Sequence, residues 1–220
     1  MDNENEIQNE RLNRKETALR LIPLLVLSIL FLISGIILYH SQFTGISVLT
    51  IFIQALVAGF GEELIFRLLI LGLCFKFLKE SRHLPAVIIV SFVFGLAHFS
   101  NLRGGSFEFS MVLLQVISAA LGGLVFGLMY YNARSYLLCA GVHFIYDLGV
   151  FFLSVGIGNL MLAGPMDLVS EILIMALCAL TAFTLLKKDE KILRIGVIAG
   201  LFLAFVITVL KVISYSNLNV

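Results

Sequence analysis

The stretch "AGFGEELIFRLLILGL", residues 58–73, decides how the chain is read. It lies inside a long apolar run, yet it carries adjacent carboxylates, Glu62 and Glu63, with Arg67 four residues beyond Glu63. On the insertion scale each such charge costs roughly 2.5–3.5 kcal/mol at the centre of a membrane helix. A lipid-soluble segment therefore keeps three of them only for structure or for chemistry.

The surrounding chain is lipid-soluble. Hydrophobic residues make up 60% of it and charged residues 13%, against about a quarter charged in a soluble domain, and the mean hydropathy is +1.05. Apolar segments recur from residue 18 to residue 214 as continuous runs, whereas a barrel needs alternating segments of about ten residues. Spanning segments must satisfy their own backbone hydrogen bonds, so the fold class is all-α, a polytopic transmembrane helix bundle. Seven spans are predicted, at about 18–39, 46–78, 84–101, 110–131, 136–155, 165–186 and 192–214. Residues 1–17 read as a polar cytoplasmic tail, or a short surface helix, ahead of a single transmembrane domain over 18–214. The first run is too long for a cleaved signal peptide and lacks a cleavage site. Cys74, Cys139 and Cys178 have no CxxC spacing and read as small buried hydrophobes. Gly123 and Gly127 form a GxxxG pair suited to helix packing.

Lysine and arginine set the expected orientation. Arg11, Arg14, Lys15 and Arg20 precede the first span, Lys76, Lys79 and Arg82 follow the second, Arg134 follows the fourth, and Lys187, Lys188, Lys191 and Arg194 separate the last two. The opposite loops hold Arg103, with Lys211 near the far end. The N-terminus is therefore expected in the cytoplasm and the C-terminus outside.

Few ionisable residues remain within the spans: Glu62, Glu63 and Arg67 in the second, His98 in the third, His143 and Asp147 in the fifth. Such residues face a polar cavity or one another, and a functional site is the first hypothesis. Glu63 and Arg67 are four apart, in the favourable order for an intrahelical pair. Glu62 points about 100° away on an α-helix, so its partner must come from another helix. His143 and Asp147 share a face, which lets the carboxylate orient the imidazole, and Phe94 shares a face with His98. Glu62 lies about eighteen residues before the turn near 80–82 and His98 about seventeen after it, so an antiparallel pair brings them level. His143 lies only about 12 Å past the turn at 132–136, against roughly 26 Å for His98. Either the 78–84 hairpin projects into the cytoplasm or the 132–136 turn is sunk; the basic residues of the hairpin favour the first and place the site in the cytoplasmic half of the bilayer.

"EELIFR" (EExxxR), "FGLAH" (FxxxH) and "HFIYD" (HxxxD), in that order on separate spans, resemble the CAAX prenyl protease and bacteriocin-processing family of intramembrane endopeptidases. That family includes type II CAAX prenyl endopeptidases and bacterial self-immunity proteins. The likeness covers a motif-bearing core over about 46–155. It implies that Glu62 and His98 activate the attacking water, that His143 and Asp147 stabilise the oxyanion, and that Glu63 and Arg67 hold the first motif helix. Eukaryotic members typically carry Asn where this chain has Asp147, so a simple donor role for that residue gives way to holding His143.

Peptide hydrolysis needs a base near a water and a donor for the oxyanion, and these residues fill both roles. No cofactor is expected; if a divalent metal such as zinc is bound, Glu62, His98, His143 and Asp147 are its ligands. Neither HExxH nor GxSxG is present. The expected partners are the lipid bilayer and a hydrophobic or lipidated peptide, with no nucleic acid. Two other functions remain open at this point. One is a membrane immunity or scaffold protein that sequesters a peptide uncut. The other is a proton-coupled transporter, although the repeated halves common in transporters are not seen.

Overall fold

The computed structural model describes residues 12–41, 47–104, 109–156 and 165–216. Residues 1–11 of the expected tail, with Arg11, lie outside the described residues, as does the side chain of Arg103. Among the described residues there is no strand.

The polar segment ahead of the first span is a short helix, α1 (Arg14–Arg20). It begins there because Asn13 and Glu16 form a capping box, each side chain bonding the other's backbone N–H at 2.9 Å. Its far end is fastened by Arg20, whose guanidinium donates to the carbonyls of Thr184 and Lys187, each at 2.8 Å. Seven long helical stretches follow: α2 (Ile22–Ser41), α3 (48–77), α4 (His83–Ala97, running on as a 3-10 turn His98–Gly104), α5 (Phe109–Ala133), α6 (Tyr136–Gly156), α7 (Pro165–Leu186) and α8 (Glu190–Ser216). A helical stretch stands at each of the seven expected spans. Pro23, Pro85 and Pro165 fall in first turns, where a missing N–H costs no helical bond. Six of the stretches are long and apolar enough to cross a membrane; the seventh, α3, carries the three charges.

Packing joins these helices in a ring whose order is not that of the chain. Proceeding around it, α2 packs on α6, α6 on α3, α3 on α4, α4 on α5, α5 on α7, α7 on α8, and α8 returns to α2. The outer faces are apolar and exposed, as at Ile37, Leu49, Ile89, Leu137, Ile198 and Phe202. Such a surface is stable against lipid rather than water. The protein is an integral, multi-pass membrane protein.

Gly127 of the GxxxG pair lets α4 and α5 touch closely: a Cβ there would stand 2.8 Å from Val87 Cγ1. The two turns that set the depth of the charged residues are offset. Arg134 rests its guanidinium 4.0 Å from the centre of the Phe75 ring, while Tyr136, two residues on, already reaches the Phe60 carbonyl at 3.0 Å. The 78–82 hairpin therefore stands farther out than the 134–135 turn. This offset is why His143 lies so few residues into its helix and still meets Glu62.

Candidate active site

The middle of α3 is wound as two π segments, Val57–Glu62 and Leu64–Leu71, flanked by α-helix. A π turn closes i→i+5 bonds and holds more residues than an α turn, so neighbouring side chains diverge less; such turns are frequent at functional sites. Here the effect falls on the two adjacent carboxylates, and both reach the same imidazole. Glu63 Oε1 accepts from His143 Nδ1 at 2.9 Å, and Glu62 Oε2 stands 3.9 Å from His143 Nε2. Their surroundings differ sharply: the Glu63 side chain is 0% exposed and that of Glu62 35%.

Close approach of α3 to α6 makes this possible. A Cβ on Gly59 would sit 2.6 Å from both the N and Cα of Phe144, so only glycine fits there. Phe60 adds edge-on contacts to Tyr136 and Phe144 on either side.

Arg67 is buried with Glu63, its Nη1 lying 3.1 Å from Glu63 Oε1. Its Nη2 donates to the Gly123 carbonyl at 2.9 Å, and the guanidinium lies between the rings of Phe94 (4.8 Å) and Phe126 (5.6 Å). Phe126 also stacks on His143, with ring centres 4.6 Å apart and planes 19° from parallel. The imidazole is thus fixed on one face by an aromatic ring and at Nδ1 by a carboxylate.

The sequence pointed to Asp147 as the group that orients His143. In the structure Asp147 Oδ2 lies 3.4 Å from Nε2, while the hydrogen bond that sets the ring is made by Glu63. The expected intrahelical Glu63–Arg67 pair is present, and Glu63 is in addition shared with His143 across to α6. Three carboxylates, Glu62, Glu63 and Asp147, surround the His143 ring, with Arg67 the permanent cation beside them.

His98 stands at the C-terminal end of α4, beyond the ring of Phe94. Phe94 makes edge contacts with both histidines, at 5.1 Å to His98 and 6.4 Å to His143. His98 Nδ1 lies 3.1 Å from the Phe94 carbonyl. A carbonyl only accepts, so Nδ1 carries the proton and Nε2 of the neutral ring is the acceptor.

Glu62, His98, His143 and Asp147 all line one cavity of about 1220 Å³ at the centre of the helix ring, and all seven long helices contribute to its wall. Pockets for drug-sized ligands span roughly 300–1,000 Å³, so this one has room for a peptide. Among the described residues no three His, Cys, Asp or Glu side chains are grouped as a metal ion would need them.

Phe126 and Gly123 complete the site, and sequence reasoning missed both roles. The only signal was the GxxxG pair: Gly123 leaves space for Phe94, whose Cδ1 would lie 2.8 Å from a Cβ at that position.

The family model of the type II CAAX prenyl endopeptidases, Rce1-like, matches residues 43–149. This segment holds α3, α4, α5 and most of α6, and so every residue of the cluster. No curated protein and no solved structure matches the chain.

Proposed function

The chain belongs, through residues 43–149, to the Rce1-like type II CAAX prenyl endopeptidases, a family of peptidases, and from that premise we propose that it is an intramembrane endopeptidase. It hydrolyses a peptide bond in a hydrophobic or prenylated peptide, with its N-terminus in the cytoplasm and its C-terminus outside. The observation that carries this reading is the pairing of a part-exposed carboxylate, Glu62, with a fixed imidazole, His143, on the wall of a peptide-sized cavity.

Glu62 is the base. Its separation of 3.9 Å from His143 Nε2 is too long for a direct hydrogen bond and suits two groups bridged by one water or one reacting oxygen. Glu62 takes a proton from water as the water oxygen attacks the peptide carbonyl carbon, with His98 Nε2 accepting the water's other hydrogen. The carbonyl oxygen becomes an oxyanion. His143 meets it from Nε2, which requires the doubly protonated ring; an acceptor at each nitrogen, Glu63 at Nδ1 and Asp147 near Nε2, complements that form. As the tetrahedral intermediate collapses, the C–N bond breaks and Glu62 returns its proton to the leaving amine nitrogen.

The test is purified protein in detergent or lipid with a peptide library, comparing the parent with Glu62→Ala. Cleavage by the parent should be lost in the variant while its thermal unfolding stays close to the parent's, because His143 keeps Glu63 and Asp147 beside it when Glu62 is removed. Turnover should survive exhaustive chelation, with metal content measured on the same sample. Loss of turnover that stoichiometric zinc restores would turn Glu62, His98 and His143 into ligands. A parent that binds peptides and cuts none would make the protein a sequestering one.

A further inference from the structure

Beside His98 the cavity wall carries a second polar group, the side chains of Asn101 and Gln115, which the hydrolysis itself does not use. We propose that these two form a subsite that reads the backbone of the bound peptide, a role that rests on the peptidase reading above. The subsite holds one residue of the peptide extended, about two positions from the bond to be cut.

Two elements bring these side chains to His98. His98–Gly104 is wound as a 3-10 turn, in which side chains three apart eclipse and each residue rises about 2 Å. Asn101 therefore stands in line with His98 and about 6 Å farther along, where an α-helix would have turned it about 60° aside. Gln115 comes from α5, which runs antiparallel to α4 in a register that three glycines fix. A Cβ on Gly127 would meet Val87, one on Gly123 would meet Phe94 and Ser91, and one on Gly95 would meet Val116 and Ala120. Carrying that register one turn past Gly95 brings Gln115 level with His98. An extended chain advances about 3.3 Å per residue, so 6 Å from His98 is about two residues from the attacked carbonyl.

The two carboxamides bond to each other, Asn101 Nδ2 donating to Gln115 Oε1 at 2.8 Å, and both residues are half-buried. A carboxamide holds one oxygen acceptor and an NH2 donor. Their mutual bond leaves Asn101 Oδ1 as an acceptor and Gln115 Nε2 as a donor. Turning both amides over exchanges these ends and keeps the combination of one acceptor beside one donor. A residue of an extended chain shows its N–H and C=O on the same side, where a neighbouring strand would bond both. The paired amides supply that combination from side chains, on a wall where Leu113 and Leu114 beside them offer none. Joining α4 to α5 does not require the pair, since the two helices already touch at the glycines. A contact of this kind selects an extended backbone rather than a sequence, and it excludes proline, which has no N–H, at the residue it holds.

The probe is a blocked peptide of leucine and alanine with a fluorophore and a quencher at its ends, together with a set in which each backbone nitrogen in turn is methylated. With the full chain in detergent, methylation at one position away from the cleaved bond should raise KM on the order of tenfold, as the loss of a backbone hydrogen bond in an apolar site does, with kcat near that of the plain peptide. Asn101→Leu and Gln115→Met, made separately, should each raise KM for the plain peptide by a similar factor. In each variant the same methylation should then cost nothing further, because its partner is already gone. Where one variant fails to fold, the other, on a different helix, gives the same reading. Variants with the parent's KM, or a methylation penalty that persists undiminished in them, would overturn the proposal. So would a fall in kcat with KM unchanged, which would make Asn101 and Gln115 supports of His98. A parent that cuts none of these peptides removes the peptidase reading, and the comparison moves to binding, read by fluorescence anisotropy of the same peptides without the quencher. Loss of affinity on methylation and in both variants then keeps the subsite; equal binding throughout, or no binding by the parent, removes it.

Discussion

Glu63 Oε1 serves two partners at once, Arg67 at 3.1 Å and His143 at 2.9 Å. The two duties can be separated. Glu63→Gln leaves a buried guanidinium without its counter-ion, which costs roughly 3–5 kcal/mol, so thermal unfolding in detergent should drop markedly and turnover with it. Replacing both members, as in Glu63→Gln with Arg67→Met, removes the stranded charge. Exchange of a buried pair for apolar packing is often neutral, so stability should largely return. Turnover should stay low, because the imidazole still lacks its carboxylate. If the double variant recovers both, Glu63 is structural alone. At this scale the sequence was informative wherever a residue contrasted with its surroundings. Glu62, His98, His143 and Asp147 stand out in apolar runs, and all four line the cavity. Phe126 does not stand out: an aromatic side chain among apolar ones carries no mark of stacking on a histidine.

The π winding of α3 is an element-scale feature with a sequence correlate only in hindsight. Counting at 100° per residue placed Glu62 and Glu63 on different faces, and nothing in "VAGFGEELIFR" announces a wider turn. What residues 57–67 do contain is two glycines with opposite environments. A Cβ on Gly59 would meet the backbone of Phe144, whereas one on Gly61 would meet nothing within 4 Å. Gly59→Ala should therefore push α3 from α6 and cost roughly 1–3 kcal/mol, the usual range for overpacking. Because Glu62 and Glu63 ride on α3 and His143 on α6, turnover should fall with stability. Gly61→Ala adds a side chain to open space and should leave both near the parent. Thermal unfolding and peptide cleavage on the same two preparations check this. Equal damage from both substitutions would mean that the π turns need glycine for backbone freedom rather than for close approach.

Across the whole molecule, hydropathy made all seven long helical stretches legible, and the charge bias gave their expected alternation. The cyclic order of helices was not legible, because hydropathy records that a helix is lipid-soluble without recording which neighbour it packs on. In the structure α2 is the main packing partner of α6, the helix that carries His143 and Asp147. The family match over residues 43–149 leaves out α2, α7 and α8, yet these helices close the ring and supply Leu24, Phe31, Ile174, Cys178 and Lys211 to the cavity wall. A chain trimmed to residues 43–156 keeps every residue of the catalytic proposal and leaves α6 without its main neighbour. It should fail to form a stable bundle, running as polydisperse material on size exclusion and losing resistance to limited proteolysis, with no peptide cleavage. Supplying residues 12–41 as a second chain should restore some protease resistance in α6, since α2 again covers the face of α6 that the trimming lays bare. A trimmed chain that is monodisperse and cuts peptide would show that the four helices of the motif-bearing core suffice and that the ring is a later enclosure around a self-sufficient core.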